Sequence, residues 1–190
     1  MLKAAALALG LGGFAVSAAQ AGPLFDTYQG LCVKTGAAPA AVLSAADAGG
    51  WMAIPDAMLL QLSAASKVDG AQGRMKSDSA GLSIVIVGHK AMPVGEDTVN
   101  LRFCGVAAMA GGGEPSGAEL ATWAAVPASP ELSKAGATGY AFTSQGGVHT
   151  AVSNPNDAQA KALLKSGRVN MAFSQEGKGL TLLAFAVPTM

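Results

Sequence analysis

Two histidines, His89 and His149, are the only side chains here whose ordinary pKa suits proton transfer near neutral pH. His149 follows Gly146-Gly147-Val148, with Ser144 just before that turn and Asp157 downstream. Those are the residue types of a nucleophilic triad, in which a base oriented by a carboxylate takes the proton of a serine. A triad is defined by geometry, however, and Ser144 lacks the Gly-x-Ser-x-Gly elbow that presents a serine nucleophile. An exposed strand-end histidine is therefore the first reading of His149. A small hydrolase using His149 with Ser144 or Asp157 is the alternative. His89 closes an apolar run beside Lys90, where it either faces a pocket at the end of a sheet or marks a solvated strand terminus.

The remaining candidates are sparser. Glu96-Asp97 and Asp157 would cleave a sugar only if two carboxyls faced each other across a cleft, usually with aromatic platforms. The chain has only two tryptophans and two tyrosines, and Trp51 and Trp123 read as core. Asp56, Asp69 and Asp78 stand in turns, where capping explains them. No His-x-x-x-His spacing or Cys/His cluster offers a metal its three or four ligands. The glycine-rich segment from Ala110 to Gly117 has no Gly-Lys-Ser/Thr, and Ser116 takes the last position of a Gly-x-Gly-x-x-Gly pattern. It reads as a loop and not a phosphate cradle, and no metal or cofactor is expected.

Arg102 falls mid-strand between Leu101 and Phe103, on the face it shares with Asn100. If that face is covered the guanidinium needs a carboxylate, because an unpaired buried charge is prohibitive. A structural ion pair is the plain expectation. The sharper one is that Arg102 binds an anionic ligand, and Arg102, His89 and His149 are the candidate ligand-binding residues.

These residues must be held by a sheet. Thr98 to Ala108 alternates, with Val99, Leu101 and Phe103 on one face and Asn100 and Arg102 on the other. Leu82 to Val87 is apolar at both parities, which suits a strand covered on both sides and paired with the first as a hairpin. Cys104 follows Phe103 within that stretch. With Cys32 it makes the only cysteine pair, and a disulfide between them would close a loop worth at most about 4 kcal/mol of chain entropy. Cys104 either points away from Val99, Leu101 and Phe103, so that the segment around Cys32 covers the opposite face, or turns inward at a bulge near Gly105.

Around that hairpin the sequence predicts short helices over Leu24 to Val33, Pro39 to Ala48, Asp56 to Leu62, Ala118 to Ala125 and Ala158 to Lys165. Trp51, Met52 and Ile54 are expected to pack as one apolar plug. A short edge strand is expected at Arg74-Met75-Lys76, and hairpins at Thr138 to Val152 and Arg168 to Val187. Helices first, then hairpins interleaved with single helices, argue for one α+β domain at 22–190. Its sheet should be mainly antiparallel, with about six to seven strands and four to five short helices packed on it.

The N-terminus reads as a leader. Lys3 precedes an apolar run of about 13 residues from Ala4 to Val16, and Ala19-Gln20-Ala21 fits a small-x-small cleavage site, the layout of a secretory signal peptide over 1–21. That run is shorter than the roughly 20 residues a membrane span needs, and none is expected in the mature chain. The full sequence carries 12 basic and 12 acidic residues, and loss of Lys3 leaves it nearly neutral. Without a basic cluster there is no footprint for nucleic acid.

An export signal, an early Leu31-Cys32-Val33 helix, Gly50-Trp51 ahead of Pro55, Arg102-Phe103-Cys104-Gly105 on a strand and a terminal Leu182-Leu183-Ala184-Phe185 strand together resemble small exported proteins of alphaproteobacterial type. The resemblance runs over most of the mature chain. No activity is assigned to that group, so no functional residue carries over. The sequence thus predicts a non-catalytic, monomeric, periplasmic or secreted protein that binds a partner protein or small ligand. An envelope structural factor, showing a large apolar patch without a pocket, is a further alternative.

Overall fold

The computed structural model describes residues 22–78, 81–109, 116–134, 136–153, 157–177 and 179–189. The leader, the glycine-rich stretch 110–115, the Asn154-Pro155-Asn156 helix start and Ser79-Ala80 lie outside the described residues. Eight strands form one antiparallel sheet: β1 (Met52–Ala53), β2 (Asp69–Asp78), β3 (Gly81–Val94), β4 (Asp97–Met109), β5 (Ala137–Gln145), β6 (Val148–Ala151), β7 (Val169–Gly177) and β8 (Leu180–Pro188). Their order across the sheet is β1-β2-β3-β4-β8-β7-β5-β6. Five α-helices accompany them: α1 (Pro23–Tyr28), α2 (Pro39–Ala48), α3 (Asp56–Ser66), α4 (Ser116–Ala124) and α5 (Asp157–Lys165). Among the described residues no helix is long and apolar enough to cross a membrane.

The strand count exceeds the expected six to seven because of β1. Met52 and Ala53 pair with Met75 and Arg74; Met52 is exposed, while Ile54, just beyond the two-residue strand, is buried. The expected plug is therefore split, and two residues are too few to carry a readable period. The expected stub at Arg74-Met75-Lys76 is a ten-residue strand, with β1 and not β2 at the edge. Its sequence hides this because Gly73 must be glycine: a Cβ there would stand 2.5 Å from the Ile54 side chain.

β3 and β4 pair without a register break from Leu82↔Met109 to Val94↔Asp97, so no bulge interrupts Gly105. Cys104 accordingly points away from Val99, Leu101 and Phe103, and the sheet has two differently covered faces. On the first, α1, α2 and α4 bury a core that includes Tyr28, Val42, Cys104, Leu120, Phe142 and Phe185. A π-helical turn, Gln29–Val33, prolongs α1 and brings Cys32 to Cys104, forming the disulfide with Cα atoms 5.4 Å apart between positions separated by 72 in sequence. On the second face lies a smaller cluster that includes Val99, Leu101, Phe103, Leu164 and Met171.

Helix limits follow local rules. Pro23 and Pro39 occupy first-turn positions, and Gly167 takes the left-handed φ of +66° after α5. Asp56, expected as a cap, is the first residue of α3, where its charge still favours the helix start; the cap position is Pro55.

α2 is tied to β2 by Arg74, whose Nε and Nη2 donate to the two carboxylate oxygens of Asp47 at 2.6 and 3.2 Å. The Arg74 hydrogen bond holds the Asp47 carboxyl below its ordinary range. Its contribution is therefore present above the unfolded-state pKa and disappears as pH falls through the lowered folded-state value. Asp47→Asn should lower Tm slightly near pH 7 and flatten the acid limb of the Tm–pH curve by the same small amount, as befits an exposed pair. A scan of both proteins from pH 7 to pH 2 checks this.

Candidate functional site

The second face is only partly covered. α3 stands over it on one side, with Leu62, Ala65 and Ser66 turned toward the sheet, and α5 and the Ser129–Lys134 segment stand on the other. Between them runs an apolar groove along β4 and β8. One cavity of about 460 Å³ is lined by Leu101, Phe103, Phe173, Ala184 and Ala186. A second of about 250 Å³ shares Phe103, Leu182, Ala65 and Ser66 with it and continues over Gly105 and Ala107 to Met109 and Leu180. A third of about 380 Å³ extends from Met92 and Pro93 under α5. Volumes in this range are those of small-molecule sites.

The groove exists because its floor is made of small residues. Gly105 pairs with Ala184 and Ala107 with Leu182 across the β4–β8 ladder, and Phe103 pairs with Ala186. The Phe103 ring lies toward Gly105, with its edge 3.2 Å from where a Cβ would stand. Other glycines let the walls approach: a Cβ on Gly88 would meet Val68 at 2.6 Å, and one on Gly139 would meet Leu132 at 2.5 Å. The floor from Leu101 to Met109 is about 26 Å long at the usual rise per strand residue.

One wall is an underused helix. α3, DAMLLQLSAAS, is rich in apolar residues yet buries none of them, and Leu60 is 71% exposed. At the open end Met109 and Leu180 face each other across the ladder at 39% and 38% exposure. At the other end stands Lys90. Its ammonium donates to the Ser66 carbonyl at 2.9 Å, at the C-terminus of α3 where a cation is favoured, and lies 5.4 Å from the centroid of the Phe103 ring. Burial, and secondarily Lys67, push its pKa below the ordinary lysine value. Among the described residues, Lys90 is the only charged one lining the 460 Å³ cavity, and none lines the 250 Å³ cavity.

The residues singled out from the sequence lie elsewhere. Arg102 and His89 are direct partners in the β3–β4 ladder, on the first face, with Asp69 opposite His89 on β2. His89 is exposed, and Arg102 Nε is buried without a hydrogen-bond partner among the described residues. The expected Arg102 ion pair is not formed among the described residues: its direct ladder partners are His89 and Val187, and the Asp69 carboxylate lies one strand further away. His149 is on β6, at the far edge of the sheet, so the three candidate ligand contacts do not converge.

Ser144 is the direct ladder partner of His149, and both side chains emerge on one face. No hydrogen bond joins them among the described residues. The imidazole instead stacks on Phe142, centroids 4.3 Å apart, meets Trp123 edge-on at 4.9 Å, and places Nδ1 3.1 Å from the Ala124 carbonyl. A carbonyl can only accept, so Nδ1 carries the proton. Asp157 opens α5, whose Leu164 packs on the opposite face of the sheet from Trp123 and His149. Asp97 is engaged with Lys161 of α5, which holds its carboxyl below the usual range.

Sequence reasoning missed the groove. Small residues at alternate positions, Gly105 and Ala107 on one strand and Ala184 and Ala186 on another, were the available signal, but it becomes one only once β4 is known to pair with β8. No protein-family model, curated protein or solved structure matched this chain in the three comparisons made.

Proposed function

We propose that this is a non-catalytic exported protein that binds a single-chain amphiphile with an anionic head, such as a long-chain carboxylate. Its hydrocarbon chain would lie along the β4–β8 floor and its head at Lys90. The observation that carries this reading is an apolar groove along β4 and β8 whose two cavities there hold, among the described residues, one charged side chain, Lys90 at one end. One leaflet of a bilayer core is about 15 Å of hydrocarbon, so a groove of about 26 Å takes one acyl chain lengthwise. α3 supports the same reading: its Leu62 and Ala65 line the groove and gain burial when it is filled. A carboxylate at Lys90 would also offset the burial that now disfavours the ammonium. The cavities favour a ligand over the flat patch expected of an envelope structural factor. The leader at 1–21 and the Cys32–Cys104 disulfide support a periplasmic or secreted location, since disulfides persist in oxidising compartments.

The test is titration with a fluorescent fatty acid, competed by oleate and by methyl oleate. Oleate should bind one per chain. Lys90→Met should weaken oleate by about 10-fold or more, the range of a charged hydrogen bond, and leave the uncharged ester within about 2-fold. Absence of oleate binding up to millimolar concentration would remove the proposal. Equal losses for acid and ester would remove the role given to Lys90.

A further inference from the structure

We infer that cleavage between Ala21 and Gly22 completes a buried ion pair between the new Gly22 ammonium and Glu119, so that processing itself fastens α1 to α4. The inference rests on the leader reading for the position of the cut, and is independent of the groove.

Gly22 is buried, and its backbone nitrogen donates to Glu119 Oε1, a residue 97 positions further along the chain. Glu119 Oε2 is also buried and has no hydrogen-bond partner among the described residues. In the uncut chain the Gly22 nitrogen is an amide with a single hydrogen, facing a carboxylate with two oxygens. One oxygen is therefore satisfied and the other bears the cost of an unmet acceptor. Hydrolysis adds one water across the Ala21–Gly22 C–N bond. Ala21 leaves as a carboxylate, and Gly22 keeps its nitrogen as an ammonium with three hydrogens and a full positive charge. That nitrogen is already in contact with Glu119 Oε1, and its two added hydrogens supply donors of the kind Oε2 lacks. A charge-assisted contact replaces a neutral one, the stronger kind.

The surroundings fit this role. Glu119 is in the first turn of α4, where the helix favours a carboxylate. Gly22 is the N-cap of α1, and its carbonyl accepts the Asp26 N–H at 3.0 Å, so fixing Gly22 fixes the start of that helix. α1 then lays Phe25 and Tyr28 against Trp123 of α4, with ring centroids 6.4 and 5.9 Å apart. The continuous segment from Gly22 to Cys32 is thus held at its far end by the disulfide and at its near end by Glu119. The register is exacting, since a cut two residues earlier would place the ammonium about 7 Å further along the chain.

The experiment uses the full chain, exported as encoded, beside a chain with Ser-Gly inserted between Ala21 and Gly22, each with Glu119 and with Glu119→Gln. Intact mass of the collected proteins reports the cut. A mature form beginning at Gly22 supports the inference, and any other start overturns its processing step. Thermal unfolding judges the ion pair separately: the inserted chain should melt about 4 °C or more below the encoded one, and the gap should close in the Glu119→Gln background. Equal melting with Glu119 present, or the same gap without it, overturns the pair. Should Glu119→Gln fail to accumulate, acylation of the Gly22 amine by a succinimidyl ester at pH 7 decides. It should run about 10-fold slower than in the inserted chain, because a buried, paired amine is both charged and shielded. Equal rates overturn the pair.

Discussion

Replacing Cys32 and Cys104 together by alanine is expected to cost about 4 kcal/mol of stability, near 10 °C in Tm for a chain of this size. The bridge spans 72 residues, so in the unfolded chain it removes the freedom of a loop that includes α2, α3 and the first three strands. It also joins an otherwise short N-terminal segment to the most central hairpin. Both cysteines are fully buried in the first-face core, so alanine leaves no polar atom without a partner there. The measurement is urea denaturation of the native protein with and without reductant, beside the double variant. Reductant should lower the native midpoint to that of the variant and leave the variant unchanged. A native midpoint indifferent to reduction would show that the bridge does not hold the fold.

The second large effect is on binding. Ala107→Phe is expected to lower oleate affinity by about 100-fold, roughly 2.7 kcal/mol, with Tm moving by no more than about 3 °C. Ala107 is half-buried on the groove floor, between Ile84 on β3 and Leu182 on β8, and a larger side chain there projects into the cavity and not into a packed core. Its alternation places it on the face opposite the disulfide, so the core around Cys104 is untouched. Unchanged affinity in a folded Ala107→Phe protein would place the ligand elsewhere.

How much of this could be read from the sequence depends on whether a feature is made of side chains or of their absence. The β3–β4 hairpin was legible because Val99, Leu101 and Phe103 alternate and Leu82 to Val87 is apolar at both parities. The same alternation left Cys104 either opposite Phe103 or turned inward at a bulge, and the unbroken β3–β4 ladder decides for the first. α2 was legible to the residue because Pro39 opens it and Gly49 follows it. β1 and the first half of β2 were not, since Asp69-Gly70-Ala71 and Gly73 carry no period, and Gly73 is dictated by the approach of Ile54. The groove was illegible for a related reason. It is the volume left by Gly105, Ala107, Ala184 and Ala186, on strands that become neighbours only through a long-range pairing. Lys90 read as a strand end because nothing local reveals that Ser66 and Phe103 meet it. The sequence drew attention instead to His149, whose ring proves to be held by Phe142, Trp123 and the Ala124 carbonyl.

The strand order divides assembly into two unequal tasks. β1 to β4 form a meander, β5 to β8 form a second group in which β7 pairs with β5 and not with β6, and within the sheet the two groups join at β4 against β8. Zipping that seam brings together segments far apart in the chain, which makes it the slow event on the route to the native state. Until it closes, both halves expose a long, nearly uncharged border with unsatisfied backbone groups, an invitation to a neighbouring chain. The nascent protein is most vulnerable to clumping in that interval, and whatever shields β4 and β8 during it governs the yield.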